Sequence, residues 1–342
     1  VFGDALYPTF APGFLLPGDL KWESTEQLNL GVDIAFLNDR FSLSADFYLK
    51  NTYDLLNAVG LPSSLGYTST IKNVGEIRNK GVEFLFDAKI LTGNFRWDLS
   101  GNIAINRNEV IKLYEGQDIY TGNFSHPLIT ERAKILREGE PLGVFYGYLV
   151  DGYDNNGLEK YKDIEEDGII NELDKTIIGN PNPDLIYGLS SNMVYKNFDL
   201  SFFIQGTYGN DIINVSGIST IDYPGGLNTI KDVYYNHWTP ENTNAKYPKP
   251  TKITSAKFSD RQVEDGSFIR LKNIMLSYHI PVNQIRGNFI SGAQVYVSGQ
   301  NLLTLTKYSW WDPEINSNGQ QGIDQYSYPM AKTYSFGIKL SF

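Results

Sequence analysis

The sequence of 342 residues contains no cysteine and only three histidines. Without cysteine the chain can form no disulfide, no thiolate zinc site and no thiol nucleophile. The histidines, His126, His237 and His279, lie too far apart in sequence for a metal-binding motif. These absences exclude thiol chemistry and argue against a mononuclear histidine metal site.

Basic residues are also scarce, because 29 lysines and arginines stand against 39 aspartates and glutamates, for a net charge of −10. A nucleic-acid partner requires a basic face that pairs with phosphates, so none is expected. No apolar run reaches the roughly 18 residues of a membrane-spanning helix. The residues from Val1 onward do not resemble a secretory signal, and we expect the chain to be part of a longer protein.

Aromatic residues, in contrast, make up 14% of the chain, with 23 tyrosines and 19 phenylalanines. Aromatic and β-branched side chains suit the pleated surface of a sheet. Apolar residues also alternate with mostly polar ones, as at Phe41, Leu43, Ala45, Phe47 and Leu49. A period of two over this length predicts a strand with one apolar face. The composition and the alternation together predict an all-β fold.

Tight turn signals join the alternating segments into hairpins. Turns are predicted at residues 38–40, 92–94 and 196–197. A fourth hairpin pairs residues 268–280 with residues 292–303. Its first strand changes parity between Leu271 and Ile274, which indicates either a β-bulge or a misplaced phase of the strand.

The remaining connections are long. Long loops are predicted at about residues 58–75, 108–183, 208–267 and 304–331. Short turns at one end and long loops at the other are typical of outer-membrane barrels, in which the long loops are extracellular. The strands alternate in direction only if residues 142–150 form a strand within a loop and not a membrane crossing.

This arrangement gives about nine strands that cross the membrane, each close to the roughly 9 to 11 residues that such a strand needs. An odd number cannot close a bacterial single-chain barrel, so we expect residues outside this chain to complete it. The last strand, about residues 332–342, ends on an aromatic residue and resembles the signal that the barrel assembly machinery reads. The residues predicted to form this assembly signal are Tyr334, Phe336, Leu340 and Phe342.

Six segments, in this order and spacing, resemble the SusC/RagA family of TonB-linked (TonB-dependent) outer-membrane transporters. They are LKWESTEQLNLGVDIAFLNDRFSLSADFY from Leu20, NVGEIRNKGVEF from Asn73, IIGNPNPDLIYGLSSNMVYKNFDLSFFIQGTYGNDIIN from Ile177, VEDGSFIRLKNIMLSYHIP from Val263, SGQNLLTLTKYSWWDPEINS from Ser298 and YPMAKTYSFGIKLSF from Tyr328. The resemblance extends over essentially the whole chain.

The resemblance implies that residues 1–342 are the C-terminal part of one transmembrane antiparallel β-barrel domain of about 22 strands with a plugged lumen. The plug and the N-terminal strands are expected to lie outside this chain. The resemblance further implies a bacterial outer-membrane protein that contacts lipid and imports oligosaccharides or peptides. A SusD-like surface lipoprotein would act as a lid, and TonB would act through the missing N-terminal region. A homodimer of transporter-lid pairs is also expected.

One acidic segment has the ligand order of a calcium-binding EF-hand loop, with oxygen ligands at positions 1, 3, 5, 7, 9 and 12 around Gly168 at position 6. The candidate ligands are Asp163, Glu165, Asp167, the carbonyl of Ile169, Asn171 and Asp174. Glu165 is longer than the usual residue, and Asp174 replaces a bidentate glutamate. The sequence leaves open either a Ca²⁺ ion that stiffens an outer loop or a solvated acidic loop.

Aromatic residues in the predicted loops are candidates for ligand or lid contact. They are Tyr208, Tyr234, Trp238, Tyr308, Trp310 and Trp311, with Tyr223 and Tyr235 near them in sequence. Their flat faces can stack on sugar rings or pack against a peptide. The alternative is that they form an aromatic girdle at the membrane surface or pack within the loops.

Two other classes of function are weighed against the importer. A secreted or surface all-β polysaccharide-binding module would bury its apolar strand faces in a core of its own. A surface glycosidase would use a carboxylate pair such as Asp163 with Asp167 or Asp312 with Glu314. Because such pairs arise by chance in a chain this acidic, no enzymatic activity is expected.

Overall fold

The fold consists mainly of antiparallel strands. The computed structural model describes residues 14–15, 17–60, 67, 69–123, 126–222, 228–251, 256–281, 290–315 and 320–342. The strands are β1 (Phe14–Leu15), β2 (Ser24–Phe36), β3 (Phe41–Gly60), β4 (Ser69–Thr92), β5 (Phe95–Lys112), β6 (Ile119–Thr121), β7 (Lys134–Leu136), β8 (Val144–Gly147), β9 (Val150–Tyr153), β10 (Glu159–Tyr161), β11 (Thr176–Gly179), β12 (Leu185–Tyr195), β13 (Phe198–Tyr208), β14 (Asp211–Asn214), β15 (Val263–Asp265), β16 (Phe268–Ile280), β17 (Gly292–Thr306), β18 (Ile323–Asp324) and β19 (Thr333–Ser341). This composition confirms the all-β prediction.

Helical structure is minor in the part of the chain that the structure describes. The helices are α1 (Val215–Ile221) and α2 (Lys231–Asn236), with short 3-10 turns at Tyr114–Gly116, Glu172–Asp174 and Asp260–Gln262. None of the helices in the described ranges has the length and apolar character needed to cross a membrane.

Nine of the described strands form one antiparallel sheet, which we call the wall. Their order in the sheet follows the chain: β2, β3, β4, β5, β12, β13, β16, β17 and β19. The two residues of β1 add a parallel pairing to the start of β4. The wall therefore contains the nine strands that the alternation predicts.

The tight turns of the wall lie where the sequence predicts them. β2 and β3 are joined by residues 37–40, β4 and β5 by residues 93–94, and β12 and β13 by residues 196–197. Within β16, the pairing with both neighbouring strands skips Lys272, between Leu271 and Asn273. This register shift confirms the predicted bulge, since one extra residue reverses the parity of all residues that follow.

Each wall strand has one apolar face, which we call outward, and it is exposed. On β2, alternate residues from Leu28 to Phe36 are 52–62% exposed. The strand registers continue this face across the sheet, for example from Leu30 to Phe47 and on to Val82. The opposite, inward face is more polar, and on it the Ser44 hydroxyl donates to Asp33 at 2.5 Å. An apolar surface of this width requires an apolar environment such as lipid.

The longest strands extend beyond the predicted crossings. β3, β4 and β5 contain 20, 24 and 18 residues, whereas a tilted crossing needs only about 9 to 11. β3 continues to Gly60 and β4 begins at Ser69, so the predicted loop of residues 58–75 is wrong at both ends. The ends of these strands are more polar, because pairing away from lipid needs no apolar face, and the alternation does not reveal them.

At the end of the wall opposite the tight turns, which we call the loop end, three long connections pack together into a loop assembly. β14 pairs with β15 and, in parallel, with β18, which joins two of the connections. β8 belongs to a small sheet with β7 and β11 and not to the wall, as predicted for residues 142–150. The shared core consists of Leu128, Ile129, Ala133, Phe145, Ile213, Val215, Ile218, Phe258 and Ile323. The long loops therefore form a structured body with an apolar interior.

Candidate functional site

A cavity of about 410 Å³ lies between the inward face of the wall and the loop assembly. The strand registers place its wall residues on one face, because Asn102 pairs with Gly188, and Gly188 pairs with Gln205. From the wall, the lining side chains are Asn102, Ile186, Phe203, Gln205, Thr207 and Phe268, and from the loops they are Pro181, Pro183, Asn210, Ile212, Pro313, Glu314, Ile315 and Gln321. We call this space the inward cavity.

One side of the inward cavity is fixed by an ion-pair network that we call the Arg270 clamp, formed by Arg270, Asp312 and Glu314. The Arg270 side chain is only 1% exposed, donates to Glu314 Oε2 at 2.9 Å and also pairs with Asp312. Lys272 Nζ approaches Glu314 Oε2 at 3.2 Å. Because a buried guanidinium is costly without partners, the clamp holds residues 312–315 against β16.

The same network bears on the glycosidase hypothesis. Asp312 and Glu314 both pair with Arg270, and Asp312 Oδ2 also accepts a hydrogen bond from the Met330 amide at 2.9 Å. A hydrolytic pair must stand on either side of a sugar with room for its scissile bond. Asp312 and Glu314 instead tie their loop to Arg270 on β16 of the wall.

The loop residues Pro313 and Gln321 cover the inward cavity and form what we call its roof, and Lys134 of the loop assembly supports this roof. Its buried ammonium donates to the carbonyl of Gln321 and lies 5.8 Å from the centre of the Phe145 ring. Burial lowers the pKa of Lys134 to about 8. Gln321 in turn donates from Nε2 to the Pro181 carbonyl at 3.1 Å, so the roof is fixed at two points.

His126 connects the three long loops through a chain of hydrogen bonds. Its Nδ1 accepts from the Leu128 amide at 3.2 Å, which assigns the proton to Nε2, and Nε2 donates to Ser219 Oγ at 3.0 Å. Ser219 Oγ lies 2.8 Å from the Tyr326 hydroxyl. Burial lowers the pKa of His126. Since the nitrogen facing Ser219 carries a proton, this pair is not arranged as a base and a nucleophile.

The three aspartates of the predicted calcium loop, Asp163, Asp167 and Asp174, accept hydrogen bonds from the loop's own backbone. Asp163 accepts from two amides, the closer being that of Gly168 at 2.7 Å. Asp174 is buried and accepts from the amides of Ile164 and Asn171, each at 2.8 Å, and from that of Glu165 at 3.4 Å. These backbone hydrogen bonds lower the pKa of Asp174.

Asp167, Ile169 and Asn171 also bind within the loop, whereas the Glu165 side chain is exposed. Asp167 accepts from the Ile169 amide at 2.8 Å, and the Asn171 side chain donates to the Ile169 carbonyl at 3.2 Å. Within the described residues, no group of three or more histidine, aspartate or glutamate side chains is placed to hold a metal ion. Calcium binding by this loop stays a prediction.

The structure separates the predicted contact aromatics into buried and exposed residues. Trp238 and Tyr308 are only 6% and 4% exposed. The Tyr308 hydroxyl donates to Asp324 at 2.6 Å inside the loop assembly. The burial of these two rings contradicts the expectation of ligand or lid contact, and both rings pack within the loops.

The other predicted aromatics are available at the surface but do not form one site. Tyr208 ends β13 and Tyr234 lies on α2, and both are more than 60% exposed. Trp310 and Trp311 pack edge to face with ring centres 6.0 Å apart. They line an open cleft of about 420 Å³ with Tyr326 and Tyr328. Ligand or lid contact by these residues stays a prediction, and Tyr223 lies outside the described residues.

The predicted assembly signal lies on the outward face at the end of the wall. Tyr334, Phe336 and Leu340 alternate along β19, and Phe342 follows the strand end. All four side chains are exposed. Their position agrees with the predicted strand, and recognition by an assembly machinery stays a prediction.

Sequence reasoning missed the residues of the inward cavity. Asn102 and Gln205 occupy positions that alternate with the apolar residues of β5 and β13, so their inward direction could have been inferred. The roof formed by Pro313 and Gln321 depends on contacts between distant parts of the chain. No local pattern could have indicated it.

Comparisons with known proteins agree with this architecture. The family model described as TonB dependent receptor-like, beta-barrel matches residues 2–302. TonB-dependent receptor P3 of Formosa agariphila is 36% identical over 95% of this chain and 34% of its own length. TonB-dependent receptor SusC of Bacteroides thetaiotaomicron is 33% identical over 100% of this chain and 34% of its own length. The chain thus spans about a third of the length of these relatives.

A solved structure supports the same relationship. The structure of the RagAB peptide transporter superposes with a TM-score of 0.81 and 30% identity, over 95% of this chain and 36% of that chain. The relatives confirm the resemblance to SusC and RagA, and none is described as an enzyme. The match to a membrane β-barrel family does not fit a secreted or surface binding module that buries its apolar strand faces in a core of its own. The chain belongs to the TonB-dependent receptor-like β-barrel family of bacterial outer-membrane proteins.

Proposed function

We propose that the chain forms the C-terminal wall and extracellular loops of an active importer of oligomeric nutrients, either oligosaccharides or peptides. The observation that carries the proposal is the asymmetry of the wall. Its outward face is apolar, its inward face is more polar, and a structured loop assembly covers one end. A polar inner surface next to a ligand-sized cavity suits passage of a hydrated solute.

Energy for import would come through TonB, acting on a part of the protein outside this chain. The names of the relatives, TonB-dependent receptor and RagAB peptide transporter, support this mode of action. The described residues would contribute a rigid wall. The Arg270 clamp and the shared loop core keep the loop end ordered while a ligand enters.

The proposed partner at the loop end is a SusD-like surface lipoprotein that acts as a lid. The RagAB importer has been solved in states named open-open and closed-closed. These names support a paired assembly whose two halves open and close. On this chain, the exposed Tyr234 and the exposed edge of the Trp310–Trp311 pair are the proposed contacts for lid or ligand.

Uptake by living cells tests the proposal directly. Cells that produce the full-length protein should accumulate a labelled oligosaccharide or peptide that cells lacking it do not. Removing TonB function should abolish the difference. Purification of the full-length protein in detergent should also retain a surface lipoprotein, identified by mass spectrometry. Equal uptake of every tested oligomer with and without the protein would refute the importer.

A further inference from the structure

We propose that the inward cavity binds a short peptide segment, with one apolar side chain held between the wall and the loop assembly. This inference rests on the proposed importer and names its substrate class. The cavity volume of about 410 Å³ falls near the low end of ligand sites, roughly 300 to 1,000 Å³. It has room for one side chain with the adjoining main chain, so the rest of the peptide would extend beyond it.

Carbon atoms dominate the walls of the inward cavity. The apolar lining side chains are Pro181, Pro183, Ile186, Phe203, Ile212, Phe268, Pro313 and Ile315. Such walls favour an apolar side chain, because burying its surface away from water lowers the free energy. A sugar ring would place hydroxyl groups against the same walls. Burying a hydroxyl group that has no hydrogen-bond partner costs free energy. The lining therefore favours a peptide over an oligosaccharide.

The polar groups that reach the inward cavity are mainly amides. The Asn102 side chain is exposed on the inward face and makes no hydrogen bond to another of the described residues. Gln205 makes one long contact, from its Nε2 to Glu314 at 3.4 Å. A side-chain amide offers one acceptor and two donors, which matches the donor and acceptor of a peptide bond. These two residues can therefore hold the main chain while the apolar walls hold the side chain.

Charge at the inward cavity is already neutralised. Glu314, which lines the cavity, pairs with Arg270 and Lys272, and Asp312 pairs with Arg270. The network thus contains two cations and two carboxylates. A ligand recognised through its own charge would have to break these pairs. The site therefore suits a neutral stretch of peptide and not a charged terminus or a charged side chain.

The test compares full-length variants in detergent. The probe is a set of synthetic hexapeptides, each with one leucine in a background of alanine, serine and glycine, and maltohexaose is the neutral sugar control. Asn102→Trp fills the cavity from the wall. Asn192→Trp is the matched control, because Asn192 is exposed on the same inward face of β12 but does not line the cavity. Binding is measured by isothermal titration calorimetry.

We expect Asn102→Trp to weaken hexapeptide binding at least tenfold and Asn192→Trp to change it less than twofold. Asn102→Ala, which removes only the amide, should weaken binding three- to tenfold and guards against misfolding of the larger variant. Equal hexapeptide affinity in all four proteins would overturn the inference. So would maltohexaose binding that only Asn102→Trp abolishes. If uptake in cells stays TonB-dependent in these cases, the importer stands and only the peptide site fails.

Discussion

At the scale of single residues, the buried charge of Arg270 determines how firmly residues 312–315 are held against the wall. Removing one partner of a buried ion pair costs about 3 to 5 kcal/mol, because the other charge is left unpaired. Arg270→Ala should therefore loosen residues 312–315 strongly, measured as faster hydrogen exchange of that segment in the full-length protein. Arg107→Ala is the control, since its pair with Asp184 is half exposed and is worth about 0 to 1 kcal/mol. Equal effects of the two substitutions would show that the clamp does not hold the loop.

His126 gives the loop assembly a pH dependence whose sign follows from its burial. The pKa of His126 in the folded chain is lowered from 6.5, so the unfolded state binds the proton more readily. The stabilising effect of neutral His126 is fully present above pH of about 6.5 and is lost as the pH falls toward the lower folded value. Thermal unfolding of the loop assembly at pH 7.5 and pH 5.5 should show the loss. In His126→Gln, the loss of thermal stability between pH 7.5 and pH 5.5 should be smaller. If that loss is unchanged, other titratable groups cause it.

At the scale of strands, several glycines of the wall lie directly opposite an aromatic ring of the neighbouring strand. On β19, Gly337 pairs with Tyr296 of β17, and an added Cβ would overlap the Tyr296 ring. A tyrosine ring that covers a cross-strand glycine protects the backbone at a position with no side chain of its own. We expect Gly337→Val to displace the ring and to lower the amount of folded barrel in outer membranes.

Ser335→Val is the control for the β19 prediction. Ser335 lies on the same face two residues earlier and pairs with Ser298, which has no ring to displace. Folded protein is quantified by its heat-modifiable migration in gels. If both variants fold to the same extent, the glycine–tyrosine pair has no special role in the pairing of β17 with β19.

The strands also show why parts of the fold were predictable. Lipid on one side and water on the other impose a period of two, so β2, β12 and the bulge at Lys272 follow from the sequence. The loop assembly has no such constraint. Phe145 and Ile323 share one core although they lie 178 positions apart in the sequence, and local pattern cannot reveal such a contact. The burial of Trp238 and Tyr308, and with it the loss of two candidate contacts, depends on the same long-range packing.

At the scale of the whole molecule, the wall separates two environments, and this separation can be tested with charges. Leu30 lies near the middle of β2 on the outward face and is 62% exposed. A lysine facing lipid near the centre of the membrane costs about 2 to 4 kcal/mol, whereas a charge facing the lumen is tolerated. Leu30→Lys should therefore reduce the folded protein recovered from outer membranes.

Asn29→Lys provides the matched control one residue away, because successive residues of a strand point to opposite faces. The two variants carry the same added charge, so a difference between them reports only the environment of the face. We expect Asn29→Lys to insert and to support uptake like the unmodified protein. If both variants insert equally, the outward face does not contact lipid over β2, and other protein must cover Leu30. A loss confined to Leu30→Lys would place the membrane on the apolar side of the wall and leave the polar side, with its cavity, to the solute.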